Sequence, residues 1–166
     1  LQPGRGIDLL VRAAACLPDL DFLIVGGTAE ALAQCIAETP GSNVRHQPEV
    51  SPAEVPALLA SGDVLLMPYT SATPTVEYMS PLKMFEYMAS GRPIVASKIG
   101  TVTEVLSDES AYFFDSTSIE SCVHAITAAL RSPEESRAKA ARARSLVEAQ
   151  YTWRGRVERI LRDAWR

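Results

Sequence analysis

A three-layer α/β domain with a parallel sheet is the fold that this sequence predicts, and three observations lead to it. Short apolar runs that end in glycine or proline, DFLIVGG at 21–27 and DVLLMPY at 63–69, alternate with segments of helical period. The connections between them are short, as in strand–helix–strand units whose helices return the chain to a parallel neighbour. The whole, 166 residues at 47% hydrophobic and 22% charged, is enough to bury one core without staples.

The elements follow in order. GIDLLVRAAACL, residues 6–17, places Ile7, Leu10, Val11 and Ala14 on one helical face. The strand at 21–27 leads to an alanine-rich helix, 28–38, stopped by Thr39, Pro40 and Gly41, and to a weaker strand, NVRHQ, at 43–47. A helix at 51–62 has Ser51 as cap and Gly62 as stop, and the strand 63–69 follows. SPLKMFEYMASGRP at 80–93 opens with Ser80 as cap and Pro81 in the first helical position, and closes at Gly91 and Pro93. PIVASK (93–98) reads as a strand, GTVTEVLSD (100–108) as a short helix and AYFFD (111–115) as the last strand; helices at 118–132, 133–150 and 152–165 complete the chain. The approach to the first helix, LQPGRG, reads as the end of a strand-to-helix loop. A strand is therefore expected upstream, and the chain is expected to be a piece of a larger protein.

Several functions are disfavoured by composition. A net charge of −4 and a pI near 5.2 argue against nucleic acid as a partner, and the RAKAARAR stretch reads as a solvated helix face. Cys16, Cys35 and Cys122 are odd in number and far apart, which suits buried thiols rather than disulfides or a zinc site. No apolar run approaches the roughly 20 residues that span a bilayer.

Lys83 is the residue out of place. It lies in the first turn of its helix, where exposed N–H groups already concentrate positive charge, so a cation there costs about 0.3–1 kcal/mol. A phosphate in front of that turn would offset the cost. Glu86, three residues on and on the same face, is the acid of an otherwise apolar run and can accept hydrogen bonds from sugar hydroxyls. Together the two describe a nucleotide. The bland reading of the same spacing is an exposed ion pair between them.

GRGIDLLVRA, FLIVGG, DVLLMPY, SPLKMFEYMASGRPIVAS with Glu104 beyond it, and TWRGRVERIL together resemble the carboxy-terminal nucleotide-sugar domain of glycosyltransferase family 4 (glycosyl transferases group 1), retaining enzymes of the two-domain GT-B fold. The resemblance covers essentially the whole chain, and its middle block is the most specific part. It implies a Rossmann-like domain whose first strand is missing, with 152–166 as a helix packing toward an absent amino-terminal domain. It also implies a catalytic set of Arg5, Lys83 and Glu86: Arg5 and Lys83 on the diphosphate and Glu86 on the ribose. Gly6 would let backbone approach the phosphates, and Ser80, Leu82 and Lys83 would form the receiving helix terminus. His46 and Gln47 would line the nucleobase, or else lie in a solvated loop. Gly26 and Gly27 would close the binding edge of the second strand, or else form a turn and cap. His124 is expected to pack rather than react.

Two departures stand out. The family's first glycine–arginine pair has no counterpart, and its first glutamate falls on Tyr78, with Glu77 one position early. Either the loop shifts to deliver Glu77, or that contact is absent.

The implied reaction moves a sugar from a nucleoside diphosphate to an acceptor hydroxyl with retention, needing no metal and no cofactor besides the donor. The acceptor, a glycan, lipid or small molecule, would bind through the absent domain, so the chain alone is expected to bind weakly and turn over nothing. The implied location is cytoplasmic, with attachment to the inner membrane face only through the missing part. Two alternatives remain at this stage: a nucleotide-sugar epimerase of the same architecture, and a non-catalytic interaction domain.

Overall fold

The structure, a computed structural model, describes residues 5–37 and 43–164. Its elements alternate as α1 (Ile7–Ala15), β1 (Phe22–Val25), α2 (Ala29–Ala37), β2 (Val44–Gln47), α3 (Val55–Ser61), β3 (Leu65–Met67), α4 (Leu82–Ser90), β4 (Ile94–Ser97), α5 (Gly100–Thr103), β5 (Tyr112–Phe114), α6 (Ile119–Arg131), α7 (Pro133–Gln150) and α8 (Trp153–Ala164). The expected element types hold throughout. The stop expected at Thr39–Gly41 lies outside the described residues, as does Trp165.

All strand pairings are parallel, but the strands form two sheets rather than one: β1 with β2, and β3-β4-β5. Both sheets belong to one body, because the core runs across them. Val95 of β4 and Phe114 of β5 join Phe22 and Ile24 of β1 under α1 and α6. Ile94 and Ala96, on the opposite face of β4, pack with Met84 and Met88 of α4 and with Ala143 and Val147 of α7. Every residue of β4 is buried, as befits a strand covered by helices on both sides.

Helix starts needed correction. Ser80 makes no cap: Pro81 occupies the N-cap position with extended backbone (φ −68°, ψ 117°), and α4 begins at Leu82. The residue before a proline is disfavoured in helical conformation, which leaves the serine outside. Gly91, left-handed at φ 70°, ends α4 as expected. Likewise α3 starts at Val55, three residues late, because Ser51 binds the Glu54 carboxylate through both its N–H (2.9 Å) and its hydroxyl (2.5 Å) in a separate turn.

The outer surfaces settle several smaller expectations. On α7 Arg137, Arg142 and Arg144 are solvated, Arg144 pairing with Glu148 at 2.9 Å, whereas Lys139 departs from the expected solvated face, its side chain largely covered over the Tyr112 ring and 3.4 Å from Glu135. His124 does not pack but is exposed on α6. Cys122 is buried, which pushes its thiol up to about 12, whereas Cys16 is exposed, contrary to the expectation of buried thiols. On α8 an apolar stripe of Trp153, Val157, Ile160 and Leu161 faces outward, Trp153 at 72% exposure. Among the described residues no helix is long and apolar enough to cross a membrane.

Candidate functional site

The first turn of α1 sits against the carboxyl end of β3. Gly6 is left-handed (φ 69°), and a Cβ on it would lie 1.6 Å from the Pro68 carbonyl oxygen. Only glycine fits there, and the structural reason is the β3–α4 loop. From this point α1 leads back, through a short connection, to the start of β1. β1 and β3 therefore run the same way, and their carboxyl ends share one edge.

Tyr69, just past β3 and 2% exposed, organises that edge. Its hydroxyl accepts a hydrogen bond from Arg5 Nη1 at 3.1 Å. The Arg5 guanidinium carbon lies 5.2 Å from the ring centroid, and Lys83 Nζ lies 4.4 Å from the same centroid. Two cations thus share one aromatic ring. Burial, and then the nearby Arg5 charge, hold the Lys83 ammonium down at about 8. The cation–π contacts are worth about 0.5–2 kcal/mol each and offset part of this strain. Burial keeps the Tyr69 phenol above its usual range despite Arg5, and pushes neighbouring Tyr87 up to about 12, with Tyr69 and Glu86 adding to the shift.

Lys83 is also the second residue of α4, so its backbone N–H and that of Leu82 lie among the unpaired donors of a helix start. Met84 N–H is already bonded to the Pro81 carbonyl at 3.0 Å. Among the described residues Lys83 forms no ion pair, and the exposed pair with Glu86 is not made. Charge, dipole and free donors thus converge where an anion would complete them.

The remaining candidates fall into place around this centre. Leu82 is 65% exposed and Glu86, one turn further along α4, is exposed as well. Ser80 is exposed beside the helix start. Glu77 and Tyr78 both lie at the surface of a turn-rich loop anchored by Thr101, whose hydroxyl donates to the Val76 carbonyl at 2.9 Å. His46 and Gln47 are not a solvated loop: they end β2 and clasp the end of β1, His46 Nε2 donating to the Gly26 carbonyl at 3.2 Å and Gly26 N–H to the Gln47 carbonyl at 3.0 Å. Gly26 (φ 85°) and Gly27 (φ 73°) make the turn, and the space beside Gly26 is open. Sequence reasoning missed Tyr69, although an aromatic at the end of a strand on the ligand edge was a visible signal. Among the described residues no three His, Cys, Asp or Glu side chains gather as metal ligands.

The fold is that of a Rossmann-like α/β domain with a cationic cluster at the carboxyl edge of its strands, and comparison with known proteins gives the family. Residues 5–162 match the glycosyl transferase-like family, and the chain belongs to it. A GDP-mannose-dependent alpha-(1-6)-phosphatidylinositol dimannoside mannosyltransferase of Mycobacterium tuberculosis is 30% identical over 151 residues, 90% of this chain and 36% of that protein. Among solved structures, sucrose-phosphate synthase from Thermosynechococcus elongatus superposes with a TM-score of 0.81 at 21% identity, over 99% of this chain and 43% of that one. HepE of Anabaena in complex with UDP superposes with a TM-score of 0.76 at 21% identity, over 89% of this chain and 42% of that one. The fold is that of the carboxy-terminal, Rossmann-like domain of GT-B glycosyltransferases. The chain spans between 21% and 44% of the length of the curated relatives it matches.

Proposed function

We propose that this chain is the donor-binding half of a retaining family 4 glycosyltransferase and that it holds a nucleoside-diphosphate sugar at the edge formed by Arg5, Tyr69 and Lys83. The observation that carries the reading is a pair of cations held against one buried ring at a helix start. The diphosphate accepts hydrogen bonds from the Leu82 and Lys83 amides and lies against both side-chain charges. Glu86 takes the ribose hydroxyls, and the clasp of His46, Gln47, Gly26 and Gly27 borders the base. A relative named as GDP-mannose-dependent and a neighbour solved with UDP-glucose support a nucleotide-sugar donor.

In such a transfer the glycosidic bond to phosphate breaks and negative charge grows on the departing diphosphate. Fixed donors and cations stabilise that charge without reorganising, a contribution of several kcal/mol in comparable sites. Arg5 and Lys83 thus act on the leaving group. No step asks for a metal or an organic cofactor. The acceptor, a glycan, lipid or small molecule, binds elsewhere in the longer protein, which works on the cytoplasmic side of the membrane.

Calorimetric titration of the chain with UDP, GDP and ADP tests donor binding; failure of all three would remove the proposal. Transfer by the longer protein, followed by NMR of the product's anomeric proton, tests retention. An inverted product would leave the binding role but not the mechanism.

A further inference from the structure

The loop between β3 and α4 is built from turns. Thr73 N–H binds the Thr70 carbonyl at 3.0 Å, Val76 N–H binds the Thr73 carbonyl at 3.0 Å, and Tyr78 and Met79 N–H both bind the Thr75 carbonyl, at 3.1 and 2.7 Å. Thr73 is buried, and Met79 packs against the core formed by α4, β4 and α7. Between these fixed points Glu77 and Tyr78 form an exposed tip, Tyr78 at 76% exposure. A bond from far along the chain ties the tip to the body of the domain. Thr101 of α5, itself buried, donates its hydroxyl to the Val76 carbonyl at 2.9 Å, 25 residues earlier. Thr103, on the same short helix, turns its hydroxyl back to the Ile99 and Gly100 carbonyls at 3.2 and 3.1 Å. Such local bonding is the ordinary habit of a helical threonine, so the direction taken by Thr101 is particular to its place. Buried Ser97, at the end of β4, likewise donates to the Met67 carbonyl at 3.3 Å. The corner after β4 thus holds both the end of β3 and the loop that follows it.

We propose that Thr101 is a positioning residue: its hydroxyl fixes the Glu77–Tyr78 tip as a preformed contact for the hexose of a nucleoside-diphosphate sugar. The inference rests on the donor-binding reading above and extends it to a residue that touches no ligand. The order of the strands places the tip. A cavity lined by Leu23, Val25, Leu65 and Leu66 puts β1 beside β3, and β4 pairs with β3 on its other side. The clasp that borders the base lies on β1 and β2, the anion site at the end of β3, and the tip at the corner after β4. A donor laid along that edge, with its base at the clasp and its diphosphate at Lys83, carries its hexose onward to the tip. The chemistry of the tip agrees. A carboxylate repels phosphate but accepts hydrogen bonds from hydroxyls, and an exposed phenol ring can cover the apolar C–H face of a pyranose. Without the Thr101 hydroxyl the half-buried Val76 carbonyl loses its partner, and the tip must then be ordered as the sugar binds. Each side chain immobilised on binding weakens affinity. Leu82 and Lys83 do not depend on this bond, because Pro81 is buried and its carbonyl accepts from Met84 N–H at 3.0 Å. The effect of Thr101 therefore falls on the sugar and not on the diphosphate.

NMR titrations of the nitrogen-15-labelled chain with UDP and UDP-glucose, and with GDP and GDP-mannose, test this. Thr101→Val is expected to weaken the sugar-bearing donor about fivefold while changing the plain diphosphate less than about twofold, and Thr101→Ser to restore the wild-type ratio. In the free wild-type chain the Glu77 and Tyr78 amides are expected to be as rigid as those of Met84 and Met88, and to shift with the sugar nucleotide but not with the diphosphate alone. A Thr101→Val chain that melts earlier yet keeps the wild-type ratio overturns the proposal, since the hydroxyl then serves stability alone. A tip that is mobile in the free wild-type chain overturns it too, and that measurement stands even where Thr101→Val does not fold. Equal wild-type affinity for each diphosphate and its sugar-bearing form overturns this inference alone and leaves the anion site in place. A wild-type chain that binds none of the four removes the donor reading and this inference together.

Discussion

Replacing Lys83 with methionine keeps the length of the side chain and removes its charge, and the structure gives opposite signs for binding and stability. In the folded chain the ammonium is held at about 8 rather than its ordinary 10.5, chiefly by burial and then by Arg5. That difference corresponds to at most about 3 kcal/mol of strain, reduced by the cation–π contact to Tyr69, worth about 0.5–2 kcal/mol. The variant is therefore expected to be more stable at pH 7 by about 1–2 kcal/mol, a rise in Tm of about 3–6 °C. The sign with pH follows from linkage. The unfolded chain keeps the proton more tightly, so wild-type stability rises as pH climbs from about 8 to about 10.5, and the variant loses this rise. Binding goes the other way: loss of a charged hydrogen bond to diphosphate costs about 1.5–3 kcal/mol, or about 10- to 150-fold in Kd. Calorimetric titration with GDP and UDP beside thermal melts reads both quantities. Unchanged affinity, or a variant less stable than wild type at pH 7, would refute the reasoning.

Other outcomes follow from the same contacts. Because the diphosphate favours charged Lys83, wild-type affinity is expected to hold from pH 7 to about 8 and then to fall with rising pH, a decline absent in Lys83→Met and measurable by titration across buffers. Glu86→Gln is expected to weaken GDP and UDP about tenfold while leaving inorganic pyrophosphate binding unchanged; equal losses for both would remove the ribose role. Gly6→Ala is expected to destabilise the fold by at least about 2 kcal/mol in urea titrations, since a left-handed residue must gain a Cβ against the Pro68 carbonyl. Tyr69→Phe keeps the ring beneath both cations and loses only the Arg5 hydrogen bond, so a stability change of about 1 kcal/mol is expected by the same assay.

Local signals carried most of the fold, and contacts distant in sequence were where reading failed. Gly91 stops α4 because a left-handed residue is needed there, and a glycine before a proline announces that from sequence alone. The start of the same helix misled: Ser80 and Pro81 satisfy the usual cap pattern, yet the proline itself takes the cap position and the serine is left outside. Lys83 was legible as an anomaly, but what it touches was not. Its ring partner, Tyr69, lies fourteen residues earlier, and Arg5 reaches the same ring from 64 residues away. His46 was readable as a residue near the binding edge, whereas its bond to Gly26 depends on the parallel register of β1 and β2. The split into two sheets was hidden for the same reason, since strand order is a property of the packed chain.

Donor binding depends on an anion meeting the start of α4. Two-dimensional NMR of the nitrogen-15-labelled chain during titration with UDP or GDP tests it most directly. The largest amide shifts are expected at Leu82, Lys83 and Gly6, with the Arg5 side-chain signal moving in step. Saturable binding that leaves those signals in place and moves others instead would contradict it.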